Sequence, residues 1–347
     1  MTATGWTGIG RDEQGVVTRL SARGQGLAEV PALGPEGLGL LRTIDLSFTT
    51  IADLPGELKS LPSLTELRLD GNGLAAVPEV VLQLPQLELL SLYRNRLTSV
   101  PAAIGGLHTL RTLNLADNEL QEIPETIGGL SELHTLDLGH NRIDSLPDSI
   151  GRLTGLSRYL YLSNNQLTSV PATLCGLTRL RYLNVTDNRL TGLPARFGDL
   201  AALQELRLYR NRLASLPESI GALSDLREAH LMDNELTTLP DSIGDLADLR
   251  ELRLMDNRLS ALPTSLGKLH RLTRLDLRNN SLSALPESVA ELTALTHLDL
   301  RNNRLDDLPA GLAHLPALEK LDLRWNLIDP WPDWLQGLEQ RGCAVLR

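Results

Sequence analysis

Residues 110–130 read LRTLNLADNELQEIPETIGGL. Leu113 and Leu115 alternate with polar residues, the period-2 pattern of a short half-buried strand. Asn118 follows where the chain leaves that strand, and Pro124 comes six residues later. Ile127 and Leu130 stand three apart, the spacing of a 3₁₀ or short helical turn. The same string recurs along the chain. Pro78, Pro101, Pro124 and Pro147 are 23 residues apart, as are Pro171, Pro194, Pro217, Pro240, Pro263, Pro286, Pro309 and Pro332, and Pro31 and Pro55 extend the series upstream. Six residues before these prolines stand Asn72, Asn95, Asn118, Asn141, Asn165, Asn188, Asn211, Asn234, Asn257, Asn280, Asn303 and Asn326, with Gln25 and Thr49 in the earliest places.

A fixed period of this size predicts a solenoid, in which no turn buries its leucines alone and stacking supplies the core. One strand per turn builds a parallel sheet with neighbours about 4.8 Å apart, so fourteen turns give an inner face on the order of 65 Å long. At the end of each strand the backbone amides lose their ladder partners. A buried asparagine can bond those groups and those of the adjacent turn, which predicts a continuous asparagine ladder. Proline then fixes φ on the way to the convex side.

The unit resembles the leucine-rich repeat, L-x-x-L-x-L-x-x-N-x-L-x-x-L-P-x-x-I-x-x-L, over roughly residues 17 to 335. Its 23-residue length with Leu-Pro is similar to the intracellular, Ras-group class. The resemblance implies an α/β solenoid: a horseshoe of about 14 turns, with a parallel sheet on the concave face and short helical, 3₁₀ or extended segments on the convex face. It also implies a role in signalling or complex assembly. Residues 25–331 are expected to form the solenoid, with caps at 1–24 and 332–347. Upstream, Trp6, Gly8 and Ile9 with Gly15, Val17 and Leu20 resemble the N-terminal cap of plant receptor-kinase repeats, without the cysteines that staple it. Downstream, Trp331 and Trp334 read as cap packing, and residues 341–346 as a last extended segment over the exposed edge.

Composition narrows the function classes. The 347 residues carry a net charge of −10, against the basic stripe expected of a nucleic-acid binder. No apolar run reaches the length of a membrane span, and Met1–Trp6 lacks the apolar region of a signal peptide. Cys175 and Cys343 lie seven turns apart, on the order of 35 Å, so no bridge is expected and the chain reads as cytoplasmic. A secreted or host-delivered effector is the alternative. The thirty arginines against three lysines admit two readings, selection for bidentate pairing or a GC-rich genome.

Outward-pointing strand positions lie two, four and six residues before each asparagine. All five tyrosines occupy them (Tyr93, Tyr159, Tyr161, Tyr182 and Tyr209), as do Met232 and Met255. Tyrosine, methionine and arginine are what protein interfaces enrich, whereas cross-strand pairing would merely stabilise the sheet. The binding reading centres a partner on Tyr159, Tyr161, Tyr182, Tyr209, Met232 and Met255, with Arg207, Arg253 and Glu228 beside them. Charges flank this patch in columns: Glu205, Glu228 and Glu251 beside Arg207, His230 and Arg253. Further on, Asp276, Asp299 and Asp322 stand between Arg274, His297 and Lys320 on one side and Arg278, Arg301 and Arg324 on the other. With Trp325, these last arginines complete the candidate partner-binding set. The columns read both as a compensated network and as a charge pattern that gives a partner its register. One turn departs from the period. Leu156 stands nine residues before Asn165 instead of eight, so a residue near Ser157 is expected to be absorbed as a bulge at the strand's start.

Catalytic signals are poor. Gly267 and Lys268 lack the rest of a phosphate-binding loop, and His134 and His140 have no third ligand near in sequence. Cys343 is not expected to be a catalytic thiol, since about twenty residues after the last repeat leave no room for a catalytic domain. The sequence therefore predicts a non-catalytic scaffold with no cofactor or metal, binding a protein or peptide on its concave face.

Overall fold

The computed structural model describes residues 5–31 and 38–347. Residues 1–4 of the expected cap and 32–37 of the first expected turn lie outside them. The chain forms two compact units, the first up to Gln166 and the second from Leu167 to Arg347.

The first unit opens with an antiparallel pair, β1 (Gly8–Arg11) and β2 (Val17–Ser21). Three-residue strands then stack in parallel on β2: β3 (Thr43–Asp45), β4 (Glu66–Arg68), β5 (Leu89–Ser91), β6 (Thr112–Asn114), β7 (Thr135–Asp137) and β8 (Tyr159–Tyr161). The second unit is parallel throughout: β9 (Tyr182–Asn184), β10 (Glu205–Arg207), β11 (Glu228–His230), β12 (Glu251–Arg253), β13 (Arg274–Asp276), β14 (His297–Asp299), β15 (Lys320–Asp322) and β16 (Ala344–Leu346). Among the described residues a single α-helix, α1 (Leu335–Gln340), precedes β16. Each unit is thus a stack of solenoid turns, as the period predicts.

Every turn follows one plan. In the turn read above, Leu110, Leu113, Leu115, Leu120, Ile123, Ile127 and Leu130 are all buried, each contributing about 1.5–3 kcal/mol once neighbouring turns cover it. Pro124 sits at φ −69° and ψ 147° and starts the 3₁₀ turn Glu125–Gly129. The Ile127 amide donates to the Pro124 carbonyl at 2.9 Å, and the Leu130 amide to Ile127 at 3.1 Å. Twelve such 3₁₀ turns occur among the described residues. Glycine four residues after proline lets consecutive arcs touch. A Cβ on Gly198 would overlap the carbonyl oxygen of Ser219 in the next turn, and one on Gly221 that of Ser242. Cys175 takes the same place as a small buried residue.

The asparagine ladder is present and runs backward along the chain. Asn118 Oδ1 accepts from the amide of Leu97 in the preceding turn at 3.0 Å. Its Nδ2 donates to the carbonyls of Leu92 in that turn and Leu115 in its own, both at 3.0 Å. Asn211 repeats the arrangement with Leu190, Val185 and Leu208. The extra residue before β8 falls at Ser157, since the Arg158 amide makes the regular bond, donating to the His134 carbonyl at 3.1 Å as the His134 amide does to Arg111 one turn earlier. β8 then pairs with β7 in register, Leu160 opposite Leu136.

Candidate functional site

The residue before each ladder asparagine holds a left-handed backbone, with φ 64° at Gly71 and between 51° and 62° at eleven further positions including Asp117, Asn164, Asp187 and Asp233, and Phe48 before Thr49 does the same. Aspartate and asparagine tolerate that conformation best, which explains a recurring Asp/Asn that the sequence reading left unassigned. Phe48, Arg94, Arg210 and Trp325 hold it despite their bulk. The turn carries the chain off the strand and leaves the outward side chains of each strand on one face.

In the second unit that face carries charge pairs made along each strand. Arg207 Nε donates to Glu205 Oε1 at 2.6 Å, Arg253 pairs with Glu251, and His230 Nε2 lies 3.2 Å from Glu228 Oε2. From β13 onward the acid stands two residues further along, at the third strand residue, and its arginine two residues beyond that. Arg278 approaches Asp276 at 3.7 Å, Arg301 grips Asp299 at 2.6 Å and also reaches Asp322 at 3.4 Å, and Arg324 holds Asp322 at 2.8 Å. The expected columns exist in register, and the acids among them are met by a base two residues later in the chain.

Environment sets the protonation of these groups. Burial works to raise Asp322, yet hydrogen bonds from Arg324 and the charges of Arg301 and Arg324 outweigh it and hold this carboxylate below its ordinary value. Asp276 is pushed up by burial and by Asp299, despite Arg278. Burial alone would lower Arg207, but its bond to Glu205 and the neighbouring Tyr182 raise it. Burial also pushes Cys175 and Cys343 up. Both are free thiols, and a raised value keeps them protonated, against a thiolate nucleophile.

The expected aromatic patch divides between the units. In the first, Tyr159 and Tyr161 stack with ring centroids 5.7 Å apart. In the second, Arg207 lies over the Tyr182 ring at 5.6 Å, Tyr209 is half-buried, and Met255 lies against the Arg278 guanidinium, its sulfur 3.1 Å from Nε. Met232 departs from the expectation of an outward, accessible side chain. It is only 9% exposed, because Tyr209 and Met255 flank it on the adjacent strands. Trp325 is the opposite case: it is 69% exposed, with the Arg324 guanidinium 5.5 Å from its ring.

Two arrangements escaped the sequence reading. Glu205, Glu228 and His230 bring one potential ligand atom each within 4.8 Å of one another. Arg207 already neutralises Glu205 there. The second is a cleft of about 160 Å³ across β12–β15, lined by Glu251, Arg253, Arg274, Asp276, His297 and Lys320 among others. Position in the period carries signals for both, but depth does not show in a sequence.

Comparison with known proteins follows the same lines. A family model described as a leucine-rich repeat region matches residues 101–175, 158–257 and 242–340, more than half of the chain, and a second leucine-rich repeat model matches residues 73–120. No curated protein matches. Among solved structures the chain is similar to a leucine-rich repeat protein of Leptospira interrogans, at 30% identity over 94% of this chain and 95% of that one, with a TM-score of 0.66. It is similar to the repeat ectodomain of the membrane receptor kinase GASSHO1/SCHENGEN3 from Arabidopsis thaliana, in complex with Casparian strip integrity factor 2, at 30% identity over 94% and 47% with a TM-score of 0.65. A plant peptide hormone receptor in complex with RGF2 is 28% identical over 92% and 56%, with a TM-score of 0.68. The chain spans about half the length of these two receptors. No helix among the described residues is long and apolar enough to cross a membrane. With the repeat models covering most of its turns, the chain belongs to the leucine-rich repeat family.

Proposed function

We propose that this chain is a non-catalytic scaffold that binds a protein or peptide partner on the strand face of its second unit. The observation that carries the reading is the finish of that face. Tyr182, Tyr209 and Met255 stand among Arg207, Arg253 and Arg278, so aromatic and arginine groups, the usual carriers of interface energy, are gathered on one rigid sheet. Similar proteins support it: the two plant receptors were solved in complex with Casparian strip integrity factor 2 and with RGF2. Arg301, Arg324 and the exposed Trp325 extend the surface toward the last turns. Tyr159 and Tyr161 offer a separate aromatic pair in the first unit. Residues 25–331 serve as the binding solenoid, and 1–24 and 332–347 as its caps.

On this reading the 23-residue Leu-Pro repeat belongs to the Ras-group class, and the work is signalling or complex assembly in the cytoplasm. Two unbridged cysteines fit a reducing compartment. The alternative setting for the same surface is that of a secreted or host-delivered effector.

Affinity capture with the intact chain and with the double variant Tyr182→Ala, Tyr209→Ala tests the reading. A true partner binds the variant at least tenfold more weakly, about 1.4 kcal/mol, while the melting temperature barely moves. Undiminished binding by the folded variant would move the site off this patch.

A further inference from the structure

The charges of the second unit's strand face do not cancel everywhere. On β10 to β12 the first strand residue is acidic (Glu205, Glu228, Glu251) and its base stands two residues later on the same strand. On β13 to β15 the first residue is basic or histidine (Arg274, His297, Lys320) and the acid stands two residues later. Those acids, however, are satisfied from the other side by Arg278, Arg301 and Arg324. Glu251, the cross-strand neighbour of Arg274, is engaged by Arg253. Among the described residues, therefore, neither Arg274 nor Lys320 makes an ion pair. His297 bonds Thr296 Oγ1 through Nδ1 at 2.9 Å. This surplus column lines the cleft of about 160 Å³, whose walls also include Leu275 and Leu298.

Resting on the reading of this face as a binding surface, we propose that the cleft receives an extended, acidic peptide segment whose carboxylate side chains lie on the Arg274–His297–Lys320 column. Neighbouring strands are about 4.8 Å apart, which places Arg274 and Lys320 about 9.6 Å apart at the backbone. Alternate side chains of an extended peptide project on one side about 7 Å apart, and two long cationic side chains close the difference. The neighbouring Asp276 and Asp299 repel a compact anion of high charge. A peptide avoids that conflict, because its backbone amides can donate to those carboxylates while its own acids face the basic column. Charge complementarity of this kind gives register and rejects basic partners.

The probe is a fluorescein-labelled heptapeptide of sequence GEAEAEG, with GQAQAQG as control, titrated into the full chain by fluorescence anisotropy. We expect the Glu peptide to bind at least tenfold more tightly than the Gln peptide, and to weaken as salt rises. Arg274→Gln with Lys320→Gln should abolish that difference. Arg196→Gln, on the arc and paired with Asp199, should preserve it. Equal binding of the two peptides, no binding of either at about 1 mM, or a folded double variant that binds as before overturns the proposal. So does displacement by inorganic phosphate as effective as by unlabelled Glu peptide, which would make the column a general anion site. A protein partner lost by the Tyr182/Tyr209 variant yet retained by the Arg274/Lys320 variant would sink the acidic-segment assignment and leave the binding face standing.

Discussion

In the first unit, several outward strand positions carry short side chains that close on the chain itself. Asn114 Oδ1 accepts the Ala116 amide and Asp137 Oδ1 the Gly139 amide, both at 3.0 Å, while Asp70 takes the Ser91 hydroxyl and the Tyr93 amide. In the second unit the same positions hold Glu205, Arg207 and Tyr209, or Asp299 and Arg301, joined side chain to side chain. A short group closed on its own backbone reaches less far toward a partner. Long paired groups keep their charged heads at the surface, and at Arg274 and Lys320 leave charge to spare. The backbone plan beneath is the same, so the difference lies in the finish of the face and not in the stack.

The largest expected effect tests that shared plan. Asn118→Leu in the first unit and Asn211→Leu in the second each leave the amide of a preceding-turn leucine and two carbonyls without their partner. Each should cost roughly 1–3 kcal/mol in denaturant melts, by similar amounts. A melt unchanged in one unit alone would mean that the two stacks are held differently.

The stack was legible in the sequence because it rests on residue types at fixed places. Leucines at Leu113-like positions are buried, prolines such as Pro124 start the 3₁₀ turns, and asparagines such as Asn118 bond two turns at once. The columns of the face were legible for the same reason, since alternation fixes which way a strand residue points. The pairing within them was not. Whether Glu251 meets Arg253 on its own strand or Arg274 on the next depends on rotamers of long side chains, which leave no periodic trace. Neither does the burial of Met232, set by the bulk of its two neighbours. The left-handed residue before each asparagine did leave a trace, in Asp117, Asn164 and Asp187, which the reading of the ladder alone did not use.

A smaller effect sharpens the electrostatic side of the comparison. Asp137 is raised above 3.8, chiefly by burial, so its ionised form opposes folding; that penalty vanishes as pH falls through its native value. Asp322 is lowered, so its contribution is present above 3.8 and is lost as pH falls further, through its native value. Asp137→Asn, which keeps the oxygen that accepts the Gly139 amide, should match or exceed the wild type in stability at pH 7, with the advantage shrinking toward pH 3. Asp322→Asn should cost about 1–2 kcal/mol at pH 7, with the cost shrinking only in strong acid. Urea melts at several pH values read both. Curves of the same sign for the two variants would erase the contrast.

The smallest expected effect sets two bulky left-handed residues against each other. Phe48 in the first unit has φ 56° and Trp325 in the second φ 62°, a conformation that costs a side chain of this size about 1 kcal/mol. Phe48 recovers the cost locally. Its ring lies over Gly71, where a Cβ would overlap it, and Arg23 stacks on it at 5.0 Å. Trp325 is 69% exposed, with the Arg324 guanidinium against its ring. Asparagine holds the same backbone at little strain. Phe48→Asn should therefore lower stability by about 1 kcal/mol, since the lost burial exceeds the relieved strain. Trp325→Asn should raise it by about 0.5–1 kcal/mol. A gain in stability coupled to weaker capture of the partner would mark Trp325 as a residue kept for binding at a cost to the fold. A loss of stability would show instead that the indole packs on the last turns, and the second unit's exposed aromatic would then be as structural as Phe48 is in the first.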